Sequence, residues 1–312
     1  MDSAVIMDFS GRPKSMITTK SMITAALGVV GWGMRFARGL VLACHPLPCL
    51  AVTAFAAAYA IAVGLGAGRT ALLAAAVLAG QLSIGWANDA VDAPKDTVAG
   101  RSDKPVAVGL VPRRAVQFAA GLALAACVAL SLALGTAPGA VHLVCVAAAW
   151  AYDLGLKATP ASPLPYLLAF GLLPGVATWA LPVAPGWPPL GVLLGAGLLG
   201  VGAHFANTVG DADADAATGV RGLPQRIGPR RSLVTTAVAV AVAAVVLGAG
   251  LPDRRPVSLV LLTTGALLAA VGASGAGGVL GAAMRPSSGS RAAFHLTLMA
   301  VGFVVAGFVL GA

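Results

Sequence analysis

The sequence contains no glutamate, so its eleven acidic residues are all aspartates. Charged residues make up only 10% of the chain, whereas an average soluble domain carries about 25%. Hydrophobic residues account for 58%, and the mean hydropathy is +0.90. This composition excludes an ordinary soluble domain and predicts an integral membrane protein.

Two other kinds of site have little support. The four cysteines show no C-x-x-C spacing, so we expect buried thiols rather than a zinc site. The net charge of +9 could indicate a nucleic-acid partner. The basic residues are instead spread over short loops between apolar segments, where they determine membrane topology. We therefore expect the protein to associate with a lipid bilayer and not with nucleic acid.

Nine apolar segments can be drawn along the chain, most of them near the roughly 20 residues that a bilayer requires. They predict an all-α membrane protein with nine transmembrane helices. Residues 1–38 are expected to form a cytoplasmic or interfacial N-terminal segment, and residues 39–312 the membrane domain. The segments cover residues 39–63, 71–88, 115–135, 139–156, 164–181, 189–208, 232–250, 257–281 and 292–311.

The distribution of lysine and arginine predicts the orientation of these segments. With the N-terminus placed inside, seventeen of the twenty basic residues fall on the inner side. The outer loops carry only Arg69, Arg254 and Arg255. This positive-inside bias predicts that the N-terminus and the polar loops are cytoplasmic, in a bacterial cell membrane.

Six of the eleven aspartates fall in two short stretches, and a seventh, Asp103, closely follows the first of them. The first stretch reads Asn88-Asp89-Ala-Val-Asp92-Ala-Pro-Lys-Asp96. The four-residue spacing of Asn88, Asp92 and Asp96 places them on one face of a helix, with Asp89 beside them. Because proline removes a helical hydrogen bond, Pro94 predicts an end of the regular helix, with Asp96 on the turn beyond.

The second stretch runs from His204 to Gly219. His204, Asn207, Asp211 and Asp215 are spaced by 3, 4 and 4 residues, which again describes one helical face. Asp213 points about 160° away from this face, so it is a weaker candidate. His204 is a candidate for supporting the ligands of this face.

Carboxylates grouped near a bilayer repel one another and are costly to desolvate, and a bound dication relieves both problems. A set of oxygen ligands suits Mg²⁺, which commonly bridges carboxylates to substrate phosphates. Two such clusters facing each other would hold Mg²⁺ around a diphosphate. Guanidinium and ammonium groups near the clusters would bind the diphosphate oxygens. The candidates are Arg101, Lys104, Lys157 and Arg221.

Other polar residues have a plainer interpretation. Basic residues at predicted helix starts, such as Arg113 and Arg114, are expected to act as topology determinants. The isolated histidines His45, His142 and His295 are expected to be packing or interface residues.

The two aspartate stretches resemble the two signature motifs of the UbiA-type intramembrane prenyltransferases. Asn88-Asp89-x-x-Asp92-x-x-x-Asp96, followed by Arg101 and Lys104-Pro105, is similar to the first motif, and Asp211-x-x-x-Asp215-x-x-x-Gly219 is similar to the second. The resemblance covers the chain from about residue 35. It implies nine helices around a central cavity capped by cytoplasmic loops. It also implies a Mg²⁺-dependent transferase that moves a prenyl group from a prenyl diphosphate to a small lipophilic acceptor, an aromatic compound or a quinone precursor.

The resemblance also assigns roles to individual residues. The implied magnesium ligands are Asn88, Asp89, Asp92, Asp96, Asp211 and Asp215. The implied diphosphate contacts are Arg101, Lys104, Lys157 and Arg221, and the implied catalytic residues are Lys157, Arg101 and Tyr152. The sequence departs in two places from the pattern of many quinone-pathway members of the family, and both bear on which acceptor it uses. Tyr152 and Lys157 are five residues apart rather than four, and Lys104 replaces an arginine that is common before the proline.

Two alternatives remain open from the sequence. An intramembrane terpene cyclase on the same fold would ionise the same donor and cyclise the cation internally, although the 5% aromatic content offers few rings to steady such a cation. A transporter or binder of an isoprenoid phosphate would also use intramembrane carboxylates. Both clusters are predicted at one membrane face, whereas transporter sites tend to lie at the midplane.

Overall fold

A computed structural model describes residues 33–210, 215, 218–251, 255–275 and 286–311, and within these ranges the chain is helical with no strand. This confirms the predicted all-α class. Residues Leu156–Ala158 form a single 3₁₀ turn. The helices are α1 (Gly33–Ala43), α2 (Pro46–Ala62), α3 (Ala67–Val98), α4 (Arg113–Leu134), α5 (Thr136–Asp153), α6 (Pro163–Trp179), α7 (Leu190–Val209), α8 (Leu223–Ile227), α9 (Pro229–Ala249), α10 (Pro256–Gly275) and α11 (Pro286–Gly311).

Six helices in the described ranges are long and apolar enough to cross a bilayer, namely α3, α4, α7, α9, α10 and α11. The pair α1 and α2, bent by 55° at its break, makes a seventh span if it is counted as one. Helix α6 is apolar but shorter, and α5 does not meet the same criterion. The chain is therefore an integral membrane protein, and the count of nine spans stays a prediction.

The long helices form a closed ring. Each of α2, α3, α4, α5, α6 and α7 contacts the next, α7 contacts α9, and α9, α10 and α11 follow in order. Helix α11 also contacts α2, which closes the ring among the described residues. One buried apolar cluster joins α7, α9, α10 and α11, and a second joins α2, α3 and α6. This arrangement leaves a central space bordered by the inner faces of the helices.

Helix α3 continues through Pro94 to Val98, so the prediction that the helix ends near Pro94 is wrong. A proline at this position leaves the carbonyl oxygen of Ala90, four residues earlier, without its helical N–H donor. The Arg113 side chain donates from Nε to that oxygen at 2.7 Å. Because the carbonyl is satisfied in this way, the helix can include Asp96, which lies on its last turn rather than beyond its end.

The break between α1 and α2 rests directly on α3. His45 has a left-handed backbone with φ of 56°, which turns the chain between the two helices. The Cys44 carbonyl oxygen approaches Gly85 so closely that a Cβ at Gly85 would overlap it. Glycine is required at this point of α3, one turn before Asn88, since any side chain would push the α1–α2 break away from the first motif.

Candidate active site

A cavity of about 480 Å³ lies inside the ring, between α2, α3, α5, α6 and α7. The α3 side chains that line it recur every three or four residues, which is the spacing of one helical face. The row from Val77 to Asp96 covers about 28 Å of helix. Its members are Val77, Gln81, Ile84, Gly85, Asn88, Asp92, Lys95 and Asp96.

The two predicted motifs meet at the polar end of this cavity. Asn88, Asp92 and Asp96 reach it from α3, as their four-residue spacing predicted, and Asp215 reaches it from the segment after α7. Asp211 and the weaker candidate Asp213 lie outside the described residues. Residues separated by more than a hundred positions in the chain thus share one wall of one cavity.

Lys157 forms a salt bridge with Asp92 at the polar end of the cavity. Its Nζ lies 2.6 Å from both carboxylate oxygens of Asp92, and the two side chains are only 11% and 18% exposed. The 3₁₀ turn that follows α5 carries Lys157 and brings it to α3. A charge-assisted contact of this length, largely removed from water, fixes the Lys157 ammonium at the level of the first motif.

Asn88 is oriented by a residue that the sequence analysis did not single out. The Asn88 amide donates from Nδ2 to Asp153 Oδ1 at 2.8 Å, and Asp153 is 3% exposed at the end of α5. Since Nδ2 donates to the carboxylate, the carbonyl oxygen is the atom of the Asn88 amide that can bind a cation. The available signal was an isolated aspartate at the end of an otherwise apolar helix.

The second motif has a similar support. Gln225 on α8 donates from Nε2 to Asp215 Oδ2 at 2.6 Å, a contact that no sequence motif indicated. His204 is fully buried and does not line the cavity; its Nε2 lies 3.1 Å from Ser162 Oγ. Ser162 Oγ in turn accepts a hydrogen bond from the Leu223 N–H at the start of α8. His204 therefore supports α8, which carries Gln225.

Asp89 does not line the cavity. Its carboxylate is fully buried against the loop after α3, where it accepts a 3.4 Å hydrogen bond from the Val106 N–H. Lys104 Nζ lies 3.5 Å from Asp89 Oδ1 and 3.4 Å from His45 Nε2. Asp89 thus holds the loop and Lys104 in place, and Lys104 itself lines the cavity. This position gives no support to the expectation that Asp89 binds the metal.

Arg101 and Arg221 occupy different positions. Arg101 lines the cavity and donates from Nε and Nη2 to the two oxygens of Asp103, both at 2.9 Å. This hydrogen-bonded guanidinium lowers the pKa of Asp103 to about 2. Arg221 is exposed and borders an adjoining pocket beside Asp215 and Gln225 instead of the main cavity.

Below the charged end, the cavity wall contains aromatic rings. Tyr152, Tyr166 and Phe170 line it. The Tyr152 and Tyr166 rings meet edge to face at 5.2 Å, and Tyr166 stacks on Phe170 at 6.0 Å. The chain has few aromatic residues, but three of them are gathered here, so low aromatic content does not weigh against a cation at this site.

The donor set fits Mg²⁺. Asn88, Asp92, Asp96 and Asp215 supply oxygen atoms around one end of the cavity, which is the chemistry that a hard dication prefers. Asp96 is 8% exposed, and its Oδ2 has no hydrogen-bond partner among the described residues. This buried carboxylate oxygen can therefore bind a cation. Within the same residues no three carboxylate, histidine or cysteine side chains are close enough together to enclose a metal by themselves.

Among the described residues, the fold and the site define an all-helical membrane protein with a cavity that is charged at one end and mainly apolar below. Residues 47–285 match the model of the UbiA prenyltransferase family, and the chain belongs to that family. No curated protein matches the chain in the sequence comparison.

Solved structures show the same fold. A UbiA homologue from Aeropyrum pernix K1 in its apo form has a TM-score of 0.67 and 20% identity, covering 83% of this chain and 97% of that one. A UbiA homologue from Archaeoglobus fulgidus bound to GPP and Mg²⁺ has a TM-score of 0.56 and 15% identity, covering 86% and 99%. A structure described for digeranylgeranylglyceryl phosphate synthase has a TM-score of 0.61 and 14% identity, covering 88% and 98%.

Proposed function

We propose that this protein transfers a prenyl group from a prenyl diphosphate to a lipophilic acceptor, an aromatic compound or quinone precursor, in a Mg²⁺-dependent reaction within the membrane. One observation carries the proposal: residues of both aspartate motifs and four cationic side chains line one end of a cavity whose remaining wall is mainly apolar and aromatic. A prenyl diphosphate has the same two-part character, with a highly charged head and a hydrocarbon tail. The GPP and Mg²⁺ bound by the A. fulgidus homologue support this assignment.

The proposed magnesium ligands are Asn88, Asp92, Asp96 and Asp215, with Asp211 as a further candidate that lies outside the described residues. When bound, Mg²⁺ would offset the negative charge of the diphosphate and make it a better leaving group. Asp153 and Gln225 would keep two of the ligands in a fixed orientation, as supporting residues commonly do around metals.

Lys157, Lys104 and Arg101 are the proposed diphosphate contacts, because all three line the charged end of the cavity. As the carbon–oxygen bond of the donor breaks, its electron pair stays with the diphosphate, and these cations stabilise the added charge. Arg221 borders the adjoining pocket and would act on anions there.

The carbon side of the reaction takes place next to the aromatic wall. The allylic cation left by the diphosphate would lie near the faces of Tyr152 and Tyr166, which attract positive charge. An electron-rich carbon of the acceptor then forms the new bond and loses a proton. The ring of helices excludes water from this cation, which would otherwise be captured as an alcohol.

The test uses purified full-length protein in nanodiscs with Mg²⁺ and geranyl diphosphate, and it measures pyrophosphate release. Asp92→Asn and Asp215→Asn are each expected to lower the rate at least about a hundredfold, because each removes a charged ligand. Chelation of Mg²⁺ with EDTA should have the same effect, reversed by added Mg²⁺. Full activity in both variants would overturn the proposed site.

A terpene cyclase is the second candidate, and the aromatic wall of Tyr152, Tyr166 and Phe170 is the observation that favours it. Donor supplied without any acceptor distinguishes the two. A cyclic hydrocarbon or terpene alcohol formed in stoichiometric amounts with pyrophosphate indicates a cyclase. Retention of intact donor until an acceptor is added indicates a transferase.

We place the charged end of the cavity on the cytoplasmic side, as the lysine and arginine distribution predicts. A cysteine introduced at Ser102 in a variant without the four native cysteines tests this. An impermeant thiol reagent should label it only after the cells are opened. Labelling in intact cells would reverse the orientation.

A further inference from the structure

Two polar side chains interrupt the apolar part of the cavity, well below the charged end. Gln81 on α3 and His142 on α5 both line the cavity, among Val77, Ile84 and Val146. Gln81 precedes Asn88 by two helical turns, so it lies on the same face of α3, about 10 Å deeper. A polar group placed against hydrocarbon costs free energy unless something hydrogen-bonds to it.

The His142 ring is packed tightly, as expected of an isolated buried histidine. Its Cε1 atom lies against Gly80 on α3, where an added Cβ would be 3.5 Å away. Its Nδ1 atom lies 2.7 Å from Ser131 Oγ on α4. These two contacts, on adjacent ring atoms, fix the orientation of the imidazole against Gly80, the residue before Gln81.

The contacts of Ser131 determine which nitrogen of His142 carries the proton. Ser131 Oγ lies 2.5 Å from the Cys127 carbonyl oxygen, which can only accept a hydrogen bond, so the single hydroxyl proton points there. His142 Nδ1 must then donate its own proton to Ser131 Oγ. The Cys127 thiol adds only longer contacts, 3.8 Å to Ser131 Oγ and 3.9 Å to Nδ1. Nε2 is consequently left as a bare acceptor.

Neither Nε2 of His142 nor the amide of Gln81 has a hydrogen-bond partner within the part of the chain that the structure describes. Both side chains border the cavity, and neither is among the buried polar atoms without a partner, so both are accessible to a ligand. The cavity wall thus offers one acceptor, on His142, and one amide that can donate, on Gln81.

We propose that Gln81 and His142 bind the hydroxyl group of the acceptor, which is therefore an alcohol or a phenol. A hydroxyl group donates to Nε2 of His142 and accepts from Nε2 of Gln81, so it satisfies both side chains at once. An ether or a ketone can only accept and leaves the histidine unpaired. The prenyl chain of the donor, a hydrocarbon, satisfies neither residue.

The depth of the pair agrees with a compact acceptor. The diphosphate would be held at the level of Asn88 and Asp92, about 10 Å above Gln81 along the helix. An aromatic ring anchored by its hydroxyl at Gln81 and His142 would span part of that distance. Its far edge would face the carbon that the diphosphate leaves. This inference rests on the proposed function, since it names the acceptor of the same site.

The experiment measures binding rather than turnover. Radiolabelled 1-naphthol and 1-methoxynaphthalene differ in one hydroxyl proton and serve as probes. Each is dialysed to equilibrium against nanodiscs that contain the full-length protein, and protein-free nanodiscs correct for partition into lipid. The intact protein is expected to bind 1-naphthol about tenfold more tightly than its methyl ether, from one or two buried hydrogen bonds.

Gln81→Met and His142→Leu are expected to lower that preference to about twofold or less, because one partner is lost. Gln81→Met nearly preserves length and shape, so it remains informative if His142→Leu fails to fold. Gln117→Met makes the same change at an exposed position of α4 that does not line the cavity, and it should keep the tenfold preference.

Three results would overturn the inference. Equal binding of the two probes by the intact protein is the first. The second is a Gln81→Met variant that weakens geranyl diphosphate binding and not naphthol binding, which would place the pair along the prenyl tail. The third is a change in the cyclic products formed from donor alone, which would make the pair part of a cyclase. Failure to bind geranyl diphosphate with Mg²⁺, while the naphthol preference persists, would instead remove the proposed function.

Discussion

The Lys157 ammonium contacts both carboxylate oxygens of Asp92 at 2.6 Å, so the first motif holds an internal cation before any ligand arrives. Burying two charges is costly unless they are paired, and this pair offsets the charge of one aspartate in a cluster of several. An incoming Mg²⁺ must compete with Lys157 for Asp92, whereas an incoming diphosphate offers Lys157 a new partner.

Lys157→Met should therefore move two binding constants in opposite directions. Mg²⁺ alone is expected to bind more tightly, because Asp92 is no longer neutralised, and geranyl diphosphate is expected to bind about tenfold more weakly with the loss of a charge-assisted contact. Isothermal titration of the full chain with each ligand measures both constants. Lys157→Arg keeps the charge and serves as the matched control. Weaker binding of both ligands to the methionine variant would contradict the competition.

Asp153 should matter for magnesium without touching it. Asp153→Leu removes the acceptor that holds Asn88 Nδ2 and frees the amide to rotate, so the Mg²⁺ concentration needed for half-maximal pyrophosphate release is expected to rise about tenfold. Asp153→Asn keeps an oxygen acceptor and should shift it much less. A loss of rate with no change in Mg²⁺ dependence would show that Asp153 acts on folding or on the donor instead.

Arg113 should stabilise the helix that carries the first motif, because it donates to the carbonyl oxygen that Pro94 leaves without a partner. Arg113→Met leaves the Ala90 carbonyl unpaired and is expected to lower the free energy of unfolding by about 1–3 kcal/mol. In a Pro94→Ala background, the new backbone N–H can bond to the same oxygen, so the cost of Arg113→Met should largely disappear. Unfolding by sodium dodecyl sulfate measures the four proteins of this cycle.

The neighbouring Arg114, exposed at the same helix start, supplies the control for that cycle. Arg114→Met removes one positive charge from the same end of α4, and it should cost little in either background. Equal costs for the two arginines would mean that charge at the helix start, rather than the hydrogen bond to Ala90, is what matters.

Two glycines should respond oppositely to alanine. Gly85→Ala places a methyl group against the Cys44 carbonyl oxygen, so the α1–α2 break must move, and the free energy of unfolding is expected to fall by about 1–3 kcal/mol. Gly121→Ala in α4 meets no atom within 4 Å and should be neutral or stabilising by up to about 1 kcal/mol. Similar melting temperatures for Gly85→Ala and the parent protein would refute the close approach.

Much of the site could be predicted because it depends on local helix geometry. Asn88, Asp92 and Asp96 are spaced by four residues, and any regular helix through them places their side chains in one row. The structure confirms that row in the cavity wall. The same periodicity could not separate Asp89 from its neighbours, because the position of the loop after α3 determines what Asp89 contacts.

The prediction that the helix ends near Pro94 was wrong because a residue distant in the chain compensates for the proline. The local rule is sound, since proline does leave a carbonyl without its donor. The compensating donor, Arg113, lies nineteen positions farther along the chain, and the sequence shows only a basic residue at a helix start. Asp153 and Gln225 were missed because neither has a motif of its own, and each matters only through the residue it contacts.

The sequence by itself determined the all-helical membrane character, the two aspartate motifs and the helical face on which the first motif lies. These follow from composition and from periodicity within a single segment. The tertiary structure decided which charges meet: Lys157 with Asp92, Asp153 with Asn88, Gln225 with Asp215, and Asp89 with the Lys104 loop. It also placed both Gln81 and His142 in the wall of the cavity. Such pairings depend on how helices that are distant in the chain pack side by side, and no local spacing encodes that packing.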